Sequence, residues 1–345
     1  VINLMTFIAE ETREILARLG LRSLDEAVGR TDLLTQVSRG HEHLDDLDLN
    51  PILARAEGGG PVQWGARPWR NPVPDTLDAE ILRDAAPLFE QGARVQLAYT
   101  VRNTHRAVGA RTSSAIVRRW GPDGLADDHL HVRLRGSAGQ SLGAFGAKGL
   151  TIELFGEAND YVGKGLSGAM LIVRPMISSP LASHENAIIG NTCLYGATSG
   201  TLFAAGQAGE RFAVRNSGAL AVVEGCGANG CEYMTGGEAV ILGPVGDNFA
   251  AGMTGGMAWV LDPAGDFERR VNPESVVWRR LGSSFWEDRL RGHIAAHAAA
   301  TGSAWASGIL DEWETRREQV WQVCPKEMLS RLAHPLEEPL PLAAE

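Results

Sequence analysis

The stretch TGGEAVILGPVGDNFAAGMTGGMAWVL, residues 235–261, carries one phrase twice. In each copy a Thr-Gly-Gly step leads into a short apolar run, EAVIL after Gly237 and MAWVL after Gly256, 19 residues apart. A unit of that length is too short to bury an apolar face alone, so it must stack on copies of itself. Working toward the N-terminus, Gly218 precedes ALAVV, Gly200 precedes TLFAA, Gly168 precedes AMLIV and Gly149 precedes LTIEL. The steps between these glycines are 19, 18, 32 and 19 residues, and the long one holds an extra loop, Arg174 to Glu185. Counting back 19 from Gly149 reaches Leu130, which opens LHVRL, and counting back again reaches Arg111, just before SSAIV. Seven or eight repeats are therefore expected.

A second β segment is expected before each anchor glycine: Asp160–Val162, Cys193–Tyr195, Arg211–Val214, Glu232–Met234 and Asn248–Ala250. The unit reads as strand, glycine corner, strand, turn. No helix-length segment interrupts the series, which excludes a βαβ fold. The fold class that follows is mainly β, a parallel β-helix: a single-stranded solenoid of about seven coils, with flanking α-helices at both ends. Coils spaced ~4.8 Å apart give a rod of roughly 35 Å. The anchors Gly149, Gly168, Gly200, Gly218, Gly237 and Gly256 are structural corner residues, where close backbone approach or positive φ demands glycine.

The flanks differ. Asn3 to Leu19 reads as an amphipathic helix with Leu4, Ile8, Ile15 and Leu19 on one stripe, closed by Gly20. Ser23-Leu24-Asp25-Glu26 has capping-box spacing and opens a second, short helix. Asn50-Pro51 and Gly58-Gly59-Gly60-Pro61 mark a break, and the stretch to Pro74 reads as a linker. Thr76 to Gln91 reads as one helix ending at Gly92. Beyond Asp262 glycine thins out. Pro273 onward reads as helical, through Trp278, Leu281, Phe285, Leu290 and Ile294, with a second amphipathic stretch from Ile309 to Val323 and a frayed tail after Pro335. The expected organisation is a helical segment at 1–53, a linker and helix at 54–94, the repeat domain at 95–272 and a C-terminal helical segment at 273–345.

Composition narrows the function. The 345 residues carry 32 Lys+Arg against 42 Asp+Glu, a formal charge of −10. An acidic chain without a basic run makes a poor partner for nucleic acid or an anionic membrane. No apolar stretch approaches the ~20 residues of a membrane helix. Four cysteines do not make a disulfide scaffold, and residue 1 is Val, with no signal-peptide pattern behind it. A cytoplasmic location is expected, and the missing Met suggests a chain that begins inside a longer protein.

The chemical motifs read as structural. Two GxGxxG matches occur, Gly163-Gly165-Gly168 and Gly225-Gly227-Gly230, but each leads into a strand-like run and keeps the phase of the repeat, whereas a dinucleotide loop must open a helix. His293 and His297 have zinc-helix spacing, yet Ile294 stands where a general-base Glu would. His41-Glu42-His43 lies in a polar stretch and reads as solvated. Cys193, Cys226 and Cys231 could meet in a stack, as a cluster or as ordinary core residues. Lys148, Asp160, Lys164 and Glu232 recur near corners as a structural ladder. No set of nucleophile, base and orienting group emerges, so no catalytic, cofactor-binding or metal residue is assigned.

Six phrases carry a resemblance: GSAGQSLGAFGAKG (136–149), NDYVGKGLSGAMLIVRP (159–175), GNTCLYGATSG (190–200), GERFAVRNSGALAVVEG (209–225), GCEYMTGG (230–237) and NFAAGMTGG (248–256). Together they resemble the C-terminal part of the glutamate synthase large subunit, its GXGXG domain. FIAEETREILARLGLRSLDEAVGRTDLL (7–34) is similar to the helical tail of the FMN-binding synthase domain of that family, and VRNTHRAVGAR (101–111) and HAAATGSAWASGIL (297–310) also resemble it. The segment Cys226–Asn229 departs from the family's usual corner.

The resemblance implies a right-handed β-helix that braces other parts of an enzyme converting glutamine and 2-oxoglutarate to two glutamates. It implies partners in the amidotransferase and FMN synthase domains, with electrons from a reductase small subunit or ferredoxin. FMN and a 3Fe-4S cluster are implied upstream, none in this chain. A stand-alone GXGXG scaffold subunit, assembling with separately encoded catalytic chains, is the alternative. A dinucleotide-binding enzyme is the weaker third reading.

Overall fold

The computed structural model describes residues 1–55 and 74–337. It divides into two compact units, Val1–Pro74 and Asp75–Glu345. In the first, a helix runs from Ile2 to Arg18, and Gly20 takes φ +73° behind it. Ser23 caps the short Leu24–Ala27 helix by accepting the Glu26 N–H, while the Glu26 carboxylate reaches back to the Arg22 N–H at 2.8 Å. Leu4, Ile8, Ile15 and Leu19 all remain exposed. The linker expected through Gly58–Pro61 and up to residue 73 lies outside the described residues.

The second unit is built on strands β1 (Val95–Val101), β2 (Leu130–Ala138), β3 (Leu150–Ala158) and β4 (Ser167–Arg174). They are followed by β5 (Ala187–Ile189), β6 (Ser199–Ala204), β7 (Gln207–Ala208), β8 (Ser217–Val223), β9 (Thr235–Ile241) and β10 (Gly255–Leu261). Two more, β11 (Val276–Arg280) and β12 (Val320–Pro325), complete a twelve-stranded, mostly parallel sheet. Its main path is β1-β2-β3-β4-β6-β8-β9-β10-β12-β11; β5 pairs with β3 and β7 to one side. β1 through β10 are parallel along that path, and β12 closes it antiparallel to β10 and β11.

The repeat spacing sets the register. Val132, Ile152, Leu171, Leu202, Ala221, Ala239 and Ala258 pair strand to strand in one column, and all are buried. Parallel strands buried in this way need near-continuous apolar runs, which LTIEL, AMLIV and ALAVV supply. The neighbouring outward positions Phe203, Val222, Val240 and Trp259 form a second core with Leu290 and Ile294 of the Ser284–Thr301 helix and Ile309 of the Ala304–Asp311 helix.

Several expectations are corrected. The segment after Arg111 is not a strand: Ala110–Trp120 is a helix. Its N-terminus is capped from a distance by the buried Asp78 carboxylate, which accepts from the Gly109 and Thr112 N–H groups and from the Thr112 hydroxyl. The coil before Leu130 is instead β1, with Val95 opposite Leu130. Thr76–Gln91 is two helices, Leu77–Asp84 and Ala86–Gln91, because Pro87 has no N–H to continue the first. Trp278 lies on β11, and the Ile309–Val323 stretch splits into short helices and β12. The start of the tail is packed: Leu336 is buried and Glu337 pairs with Arg279 at 2.7 Å. Residues 338–345 lie outside the described residues.

The second β segments are also corrected, since they are turns. Every second residue there takes φ near +60°: Tyr161, Gly163 and Gly165 in one turn, Arg211, Ala213 and Arg215 in another, Asn229, Cys231 and Tyr233 in the next. The middle residues form a ladder of their own. Gly163 N–H donates to Leu142 O, Leu194 to Val162 O, Ala213 to Cys193 O, Cys231 to Phe212 O and Ala250 to Gly230 O, at 2.7–2.9 Å. Such non-glycine conformations cost about 1–3 kcal/mol each and persist where the surroundings over-determine them, as this ladder does. Side chains alternate between exposed and buried along these turns, Tyr161 then Val162 and Tyr233 then Met234, which imitates the period of a strand.

Candidate functional site

Each anchor glycine stands immediately before or inside its strand: Gly149 before β3, Gly168 in β4, Gly200 in β6, Gly218 in β8, Gly237 in β9 and Gly256 in β10. At Gly218 a Cβ would fall 2.1 Å from Thr198 O of the preceding repeat. Beside it, the fully buried Asn216 side chain stands in for backbone. It accepts from Gly218 N–H at 3.2 Å and Ala219 N–H at 2.9 Å, and donates to Ala219 O at 2.9 Å. Sequence reasoning missed this Asn and Asp78. The Asn-Ser-Gly step before ALAVV is the sign that could have revealed Asn216.

The four charged residues near the corners do not pair with one another. Asp160 accepts from Asn191 N–H at 2.8 Å, Glu232 from Arg211 at 2.9 Å, and Lys164 lies over the Tyr161 ring, while Lys148 is exposed at the surface. The two GxGxxG segments lead into β4 and into the 229–234 turn, so neither presents a helix N-terminus to a pyrophosphate.

The two histidines do not converge. His293 meets Glu238 at 2.5 Å, and Glu238 also pairs with Arg289. His297 meets Glu224 at 3.4 Å, both fully buried, and the Ser303 hydroxyl also donates to Glu224. His41 and His43 are exposed, with ring centroids 5.5 Å apart. Among the described residues no three His, Cys, Asp or Glu side chains are placed to hold a metal ion.

Burial alone would raise the Glu238 carboxyl, but the hydrogen bonds and charges of His293 and Arg289 outweigh it and hold it below its ordinary value. A depressed folded-state pKa adds stability above the unfolded-state value, and that stability is lost as pH falls through the acid range. Glu238→Gln is therefore expected to lower stability by about 1–2 kcal/mol at pH 7 and by much less near pH 3, read from urea midpoints at both pH values.

All four cysteines are free and buried. Burial pushes the Cys193 and Cys226 thiols up to about 12 and the Cys231 thiol well above its ordinary value. The thiolate is the reactive form. Iodoacetamide at pH 8 is thus expected to leave the native chain unlabelled and to modify all four sites in denaturant, counted by intact mass.

Geometry and chemistry together define a glycine-rich module built on a mostly parallel twelve-stranded sheet, with buried side chains such as Asn216 bonded to its backbone. The GXGXG motif family matches residues 78–326, and the chain belongs to that family. Over its entire length it is 60% identical to a glutamate synthase [NADPH] large chain of Azospirillum brasilense, of which it spans 23%. It is 44% identical over 337 residues to the glutamate synthase [NADPH] large chain of Bacillus subtilis, covering 96% of this chain and 22% of that one. A ferredoxin-dependent glutamate synthase 2 of Synechocystis is 44% identical over 335 residues, 94% of this chain and 21% of its own length. The chain therefore spans about a quarter of the length of the curated relatives it matches.

Proposed function

We propose that this chain is the supporting C-terminal portion of a glutamate synthase large chain, an enzyme of ammonia assimilation in the cytoplasm. The observation that carries the reading is identity of 60% across every residue of the chain to one such enzyme. In this reading residues 95–272 form a right-handed parallel β-helix, supported by the in-register parallel column and the ladder of turns. Residues 1–53 are the tail of the FMN synthase domain; the exposed apolar stripe of the Ile2–Arg18 helix is the kind of surface that such a domain would cover. Residues 54–94 link the two, and 273–345 buttress the rod.

The rod braces the amidotransferase and synthase domains. Glutamine hydrolysis, FMN, the 3Fe-4S cluster and the electron donor, whether a reductase subunit or ferredoxin, belong to the rest of the enzyme. The isolated chain, given glutamine, 2-oxoglutarate and a reductant, is expected to form no glutamate and to show no flavin absorbance. Turnover with bound FMN would overturn the structural reading.

A further inference from the structure

Arg174 ends β4 and is the first residue of the long loop that interrupts the 19-residue spacing. It lines a cavity of about 580 Å³ between that loop and the start of the Ala304–Asp311 helix. Its guanidinium makes no hydrogen bond with any described residue, and its Nε is buried without a partner. Among the described residues its one ion pair is to Glu153 at 3.9 Å, beyond hydrogen-bond reach. The other oxygen of Glu153, Oε2, takes Arg133 at 3.0 Å and His131 at 3.4 Å, so this one carboxylate faces two guanidinium groups. A buried polar group without a partner is costly, and for a charged one the cost is larger.

The surroundings hold this guanidinium in place. It stacks over Phe155, 5.2 Å from the ring centroid, and lies against Gly302, where a Cβ would fall 2.9 Å from its Nη2. His184 and Trp305 also line the cavity and stack at 4.1 Å, and Ser183 lines it too; the Thr301 and Ser303 hydroxyls on its wall donate elsewhere, to His297 O and Glu224. Met176 and Leu181 give the rim an apolar side. A second buried acid, Glu224, is engaged by the Ser303 hydroxyl and by His297.

We infer that this cavity binds a small oxyanion, a carboxylate or phosphate group taken by the Arg174 fork. A guanidinium presents parallel N–H donors that match either group. The site stands apart from the support role and does not depend on it.

The test uses the whole chain with ¹⁵N-labelled tryptophan indoles, titrated with succinate and, separately, with inorganic phosphate, against sodium chloride at equal ionic strength. The Trp305 signal is expected to move saturably with at least one probe; succinate alone would identify a carboxylate site, phosphate alone a phosphate site. Arg174→Lys keeps the charge without the fork and should weaken binding about tenfold, while Arg174→Ala should abolish the shift. Unchanged positions of the other indole signals establish that each variant is folded. Absence of a saturable shift with both probes, or a shift that survives in Arg174→Ala, would overturn the inference.

Discussion

Gly237→Ala is expected to cost about 3 kcal/mol or more, seen as a fall of roughly 1 M in the urea midpoint. Two effects add. The residue sits at φ +79°, which an alanine adopts only under strain, and the new Cβ would meet Ala219 O of the neighbouring strand β8 at 2.4 Å. That neighbour is backbone within a parallel ladder and cannot swing aside. The contrast is Gly292, in the middle of the Ser284–Thr301 helix, where a Cβ meets nothing within 4 Å. There alanine should stabilise by about 0.5–1 kcal/mol, because it restricts the unfolded chain and favours helix. Equal effects at the two positions would contradict the corner-glycine account.

His297→Ala is expected to cost about 3–5 kcal/mol. Glu224 and His297 are fully buried, and removing the imidazole leaves the carboxylate with Ser303 as its remaining partner. One carboxylate oxygen, Glu224 Oε2, already has none. Replacing both residues with leucine should cost less than His297→Ala alone, since no buried charge is then left unpaired. Urea unfolding of the singles and the double measures the coupling. Additive losses would mean that the two groups do not act as a pair.

Much of this architecture was legible in the sequence because it is local and periodic. Gly237 and Gly256 announce their strands, and counting back from Gly149 finds the start of β2 at Leu130. Interactions across long sequence separations were not legible. The helix after Arg111 owes its start to Asp78, more than 30 residues earlier, and without that cap SSAIV reads as another β run. β12 becomes a strand only by pairing with β10 and β11, so Val320 and Val323 looked helical. The turn ladder imitates strands through its alternating burial. Glu224 gave no sign of its role, since its partners lie 73 and 79 residues further along. Arg174 read only as the first residue of the extra loop, because its place beside Glu153 and the cavity appears only in the folded chain.

The support role is tested most directly by immunopurifying, from native extract of the source cells, the protein recognised by an antibody to this chain, then assaying it for glutamate formed from glutamine and 2-oxoglutarate. The account predicts a polypeptide about four times 36.9 kDa that forms glutamate. A polypeptide near 36.9 kDa whose purified assembly forms none would contradict it.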